Sequence, residues 1–159
     1  MFIDLLRKIT GSGSPPREDE LRETLSRDLE VAASVVLLET ACSDTDITRR
    51  ERELITRILT DKFRIKGDQA RELIETGESI LREDTNKWRF MNIINRSFSP
   101  GEKREFMENI WRIILSDGRI HKYEDHIARR TAKVLKIPHK EMIEAKMKVM
   151  REENVSSST

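Results

Sequence analysis

Two short stretches of this chain carry carboxylates at a spacing that chemistry can use. Asp44, Asp46 and Glu51 surround Ile47 in the run from Ser43 to Glu51, and Asp117 and Glu124 flank Ile120 in the run from Ser116 to Glu124. At an offset of 73 residues, Asp44 aligns with Asp117, Ile47 with Ile120 and Glu51 with Glu124. One reading is structural. The Asp accepts backbone amides in a tight turn, the Ile plugs the core, and the Glu bonds back to the amide of Thr48 or His121 at a helix entrance. Such a cap contributes roughly 1 kcal/mol. The other reading makes these carboxylates oxygen ligands for a hard divalent cation, calcium or similar. The second copy matches positions 5, 6, 8 and 12 of an EF-hand loop. Its first and third positions would be Ile113 and Leu115, however, and those of the first copy Thr40 and Cys42. The early oxygen ligands are therefore missing. What remains is a weaker site built from Asp44, Asp46 and Glu51, or from Asp117 and Glu124 with backbone carbonyls and water.

Other reactive side chains offer less. His121 and His126 are five residues apart, which separates them by roughly 140° around a helix, and His139 lies beyond Pro138, so they form no helical zinc pair. Cys42 is the single cysteine, and the neighbouring Asp44 disfavours a thiolate, so an inert, buried thiol is expected. No glycine-rich phosphate loop or nucleophile elbow is present, and the expectation is a protein without enzymatic activity. Arg129, Arg130, Lys133, Lys136 and Lys140 make a basic stretch, but without interleaved aromatics it reads as solvated helix face, and nucleic-acid binding is not expected.

The elements that must position the two acidic stretches are all helical. Apolar residues recur at helical spacing from about Pro16 to Cys42, Arg49 to Lys62 and Asp68 to Arg82. They recur again around Trp88 to Phe98, from Ser99 through Ile114, from Lys122 to Lys136, and beyond Pro138 through Met142, Ile143, Met147 and Met150. Thr48 with Glu51, and Ser99-Pro100 with Glu102, are helix-start signatures. The prediction is an all-α protein of about seven helices in a compact bundle. The motif alignment extends, with one residue removed from the first copy, to Phe63-Arg-Ile65 against Leu135-Lys-Ile137. Two repeated units of helix, acidic loop, helix, turn and helix, related by a pseudo-two-fold, are therefore expected.

Phe2, Leu5, Leu6 and Ile9 put an apolar face on a short helix over residues 1–10, and Gly11 to Pro16 forms a flexible linker. That helix is expected to dock on its own domain, on a protein partner or at a bilayer surface, where its small area gives weak binding. The helical domain is placed at 17–151 and a disordered tail at 152–159. No stretch reaches the roughly 20 apolar residues of a membrane span, no secretory signal is visible, and a cytoplasmic location is expected, with peripheral contact at the inner membrane. The net charge of +1 conceals an asymmetry. Residues 1–84 hold 14 Lys and Arg against 19 Asp and Glu, whereas residues 85–159 hold 16 against 10.

Over about residues 28–149 the chain resembles the tellurite-resistance TerB family, whose helical domain is also similar to the N-terminal cytoplasmic region of a membrane-anchored DnaJ-like protein. The resemblance is carried most specifically by Trp111 to Glu124, with Ser116-Asp117-Gly118 and Glu124, and is supported by Trp88-Arg-Phe90 and by Asp44 to Glu51. The first copy departs from the usual Asp-Gly, because Thr45 stands in the glycine position. The resemblance implies a role in resistance to tellurite and other stresses without an enzymatic activity, and a membrane-associated complex with metal-sensing roles.

Overall fold

The structure, a computed structural model, describes residues 17–41, 47–83, 88–117 and 122–157, with the backbone alone at 117, 122–125 and 154–157. Among these residues lie seven α-helices: α1 (Glu18–Ala41), α2 (Arg49–Phe63), α3 (Gly67–Glu83), α4 (Trp88–Ser97), α5 (Pro100–Ile114), α6 (Lys122–Val134) and α7 (His139–Ser157). A single 3₁₀ turn, Leu115–Asp117, follows α5, and no described residue is in a strand. The expected all-α bundle is the observed fold.

The core is organised on two helices. The second half of α1 is apolar nearly all round, and Ala32, Val35, Leu37 and Leu38 are fully enclosed. This half can be wrapped on every side, and α1 contacts α2, α3, α4 and α5. Each such leucine contributes about 1.5–3 kcal/mol by leaving water. α5 plays the corresponding part for α6 and α7, burying Phe106, Met107, Ile110, Trp111, Ile113 and Ile114. Trp111 is fully buried, and its indole Nε1 donates to the Met142 carbonyl of α7 at 3.0 Å, so the ring's one polar atom is satisfied inside the core.

The helix ends follow local chemistry. Ser99 caps α5 in a full capping box: its hydroxyl accepts from the Glu102 amide at 3.2 Å, and Glu102 Oε1 accepts from the Ser99 amide at 3.2 Å. Lys62 of α2 then reaches Glu102 Oε2 at 2.7 Å and lies over the Phe98 ring, tying α2 to the α4–α5 corner. The hydrogen bond from Lys62, with that from the Ser99 amide, holds the Glu102 carboxyl below its ordinary value. Arg64 and Lys136, after α2 and α6, are the non-glycine residues with positive φ among those described, at 53° and 58°. They are also the residues paired by the internal alignment. The first and third helices of each expected unit run in the same sense. Ser34 and Leu38 of α1 meet Leu73 and Gly77 of α3, while Glu108 and Arg112 of α5 meet Lys148 and Glu152 of α7.

Two stretches differ from the sequence expectation. Ile143, Met147 and Met150 are exposed on α7, and its buried stripe is Met142, Ala145 and Val149. The small Ala145 is 6% exposed within that stripe, whereas the larger apolar residues beside it face outward. α7 also continues through Ser157, past the domain end expected at residue 151. Arg112 binds Glu152 at 3.0 Å and so gives the helix an anchor beyond that point.

Close approach of α1 and α3 depends on Gly77, where an added Cβ would lie 2.6 Å from Leu38 Cδ1 and 3.0 Å from Ser34 Oγ. Alanine would gain about 1 kcal/mol of helix propensity, but overpacking costs about 1–3 kcal/mol. Gly77→Ala is expected to lower stability by about 1 kcal/mol net, seen in urea unfolding as a lower midpoint with an unchanged slope. An unchanged or higher midpoint would show that α1 and α3 can part without loss.

Candidate functional site

Both acidic stretches leave from the C-terminal ends of the central helices. The first follows Ala41 at the end of α1. Thr40 is buried there with its hydroxyl donating to the Val36 carbonyl at 2.9 Å, and Glu39 pairs with Arg130 of α6 at 2.7 Å. Within the stretch, Ile47 is half-buried and packs against the core, as its role as a plug requires. Thr48, in an extended conformation, caps α2 by accepting from the Glu51 amide at 3.1 Å. This is the Thr half of the expected cap. The second stretch begins in the 3₁₀ turn, where the Leu115 amide donates back to the carbonyls of Trp111 and Ile113, and the Ser116 hydroxyl donates to Ile113 at 2.7 Å.

The side chains of Asp44, Asp46, Asp117 and Glu124 lie outside the described residues, as do Cys42, His121 and all of Phe2, Leu5, Leu6 and Ile9. Glu51 is the one proposed ligand with a described side chain. Ile113, Leu115 and Thr40, which would fill early EF-hand positions, are all buried: two belong to the hydrophobic core and the third is bonded to its own helix. Among the described residues, no group of three or more His, Cys, Asp or Glu is placed to hold a metal ion. His126 and His139 are both exposed.

A different feature lies along the first half of α1. An open groove of about 580 Å³ runs between the first half of α1, the turn after α2 and the face of α3. Val31, Ile65 and Leu73 contribute apolar surface to it, and Glu23, Asp28, Glu30 and Glu72 contribute carboxylates against the one cation Arg27. Asp28 is buried, 8% exposed. Burial raises the Glu30 carboxyl above its ordinary value, and Arg27 only partly offsets this. The sequence carries one hint of this groove. Asp28 stands in register with Val31, Val35 and Leu38, so a charged residue occupies the apolar stripe of α1 just where that helix turns from polar to buried.

The bundle thus defines an all-helical module with two central helices, each followed by an acidic stretch. A family model described as tellurite resistance protein TerB matches residues 30–147, from the middle of α1 to the middle of α7. The chain belongs to the TerB family. Comparisons with curated proteins and with solved structures return no match.

The groove carboxylates bear on stability in a direction that can be checked. A carboxyl raised in the folded state is less favourable when ionised, so it weakens the fold above its folded value, and the penalty fades as pH falls toward its ordinary 4.5. Glu30→Gln is therefore expected to raise the melting temperature at pH 7 slightly, with the gain vanishing by about pH 4. A loss at pH 7 would mean that attraction to Arg27 outweighs burial.

Proposed function

We propose that this chain is a non-enzymatic interaction module acting in the response to tellurite and related stresses. The observation that carries the reading is the family match, which runs from the buried half of α1 through both acidic stretches and all of α5 to the middle of α7. Interaction is supported by surface that the bundle leaves uncovered. Trp88 is 62% exposed at the start of α4, and Met147 is 52% exposed on α7. The protein partner binds such surface, with cytoplasmic placement and peripheral contact at the inner membrane as part of the proposal. Among the described residues no helix is long and apolar enough to cross a membrane. Removing the gene from its own host is expected to lower the tellurite concentration that stops growth, and the intact gene is expected to restore it. Unaltered tolerance in the deletion strain would overturn the stress-response reading.

A second reading, a divalent-cation sensor, is favoured by where the acidic stretches start. Each follows the C-terminal end of a long buried helix, where the carbonyl ends of the dipole favour positive charge. Carboxylates of Asp44, Asp46 and Glu51, and of Asp117 and Glu124, would supply the remaining oxygens. Gln preserves a helix cap but is a much poorer calcium ligand. In this reading calcium raises the melting temperature of the parent and not of the Glu51→Gln/Glu124→Gln double variant. Equal shifts, or none in either protein, would return both glutamates to capping alone.

A further inference from the structure

We propose that the acidic groove between α1 and α3 is the seat of this chain's own residues 1–10, which dock there in cis as a short amphipathic helix. Three observations converge on that occupant. The first is reach. From the start of α1 to Asp28 is ten residues, roughly 15 Å of helix. Residues 11–17 span up to about 23 Å when extended, enough to turn back and lie alongside. The second is size. The groove follows α1 from Glu23 to Val31, roughly 12 Å, and a ten-residue helix is roughly 15 Å long.

The third is chemistry. The apolar part of the groove, Val31, Ile65 and Leu73, suits the face carrying Phe2, Leu5, Leu6 and Ile9. The groove's four carboxylates outnumber its single cation, while residues 1–10 carry Arg7 and Lys8 against Asp4. On a helix Lys8 would border the apolar face, and in the docked segment its charge would complement that of Glu30 or Glu72. Burial already disfavours the Glu30 charge, and a cation brought beside it would relieve that cost. An apolar segment seated in its own groove is withheld from bilayers and partners, so the groove would set how available that segment is.

Paramagnetic broadening in the full-length chain tests this. A nitroxide is attached at Asp4→Cys in a Cys42→Ser background whose melting curve matches the parent. Amide signals of Ile65, Gln69, Leu73 and Thr76 are expected to lose most of their intensity at low salt. The loss should shrink when Lys8→Glu is added and again at high salt, since both weaken the charge term. Intact signals at these four positions would overturn the proposal. So would broadening centred on Ile143 and Met147 of α7, which would place the segment on the exposed apolar stripe. Equal broadening with and without Lys8→Glu would remove the basic side chain from the recognition.

Discussion

Everything in this bundle depends on one helix being able to lose water on all sides. The second half of α1 offers no polar face, and its few hydroxyls are absorbed internally. Ser34 donates to the Val31 carbonyl at 2.8 Å and approaches that of Leu73 at 3.3 Å, while Thr40 donates to Val36. With no unsatisfied side chain to accommodate, α2, α3, α4 and α5 can close around it. The same constraint fixes where function can lie. The enclosed stretch from Ala32 to Leu38 offers no surface to a ligand or partner, so α1 can meet one only before or after it.

Much of this was legible in the residues, for physical reasons that also explain what was missed. Helix starts were plain because Ser99-Pro100 and Thr48 declare themselves through hydrogen bonds only a few residues long. The run Val31 to Leu38 lies at the centre because its apolar side chains fall on every side of the helix and not on one face. α7 misled because hydrophobicity favours Ile143, Met147 and Met150, whereas packing chose Met142, Ala145 and Val149. Contact distance selects for small residues as well as apolar ones, and a single sequence does not reveal which neighbour sets the distance. Trp88 was similarly read as part of an apolar stripe and is exposed. The groove could not be read at all from local pattern, since its walls come from helices separated by some forty residues. Only the misplaced charge of Asp28 hinted at it.

The sequence also pairs Arg64 with Lys136 through its internal alignment, and these two residues share one local conformation. Arg64 and Lys136 both take the left-handed conformation that glycine usually supplies at a helix end, and each precedes a partly or fully buried isoleucine, Ile65 or Ile137. A side chain in this region is strained by roughly 1 kcal/mol. The strain is tolerated because the isoleucine that follows is anchored in the core. The likeness is confined to these two turns, and the acidic stretches that precede them differ in residues, with Thr45 against Gly118.

The ion pairs along α5 and α7 give the last helix a divided character. Its first half is held by apolar contact and by the Trp111 hydrogen bond to Met142. Farther along, Lys148 reaches Glu108 at 3.1 Å and Arg112 reaches Glu152 at 3.0 Å, alongside the buried Val149. Burial raises the Glu153 carboxyl, with Arg50 and Arg112 opposing that rise, so the start of α2 shares this electrostatic field. Partly exposed pairs weaken as salt screens them, whereas apolar contact does not. One helix thus answers to two solvents: its root to whatever dissolves oil, its tip to ionic strength. A change in cellular salt could loosen the end of α7 beside the entrance to α2 while the bundle stays closed.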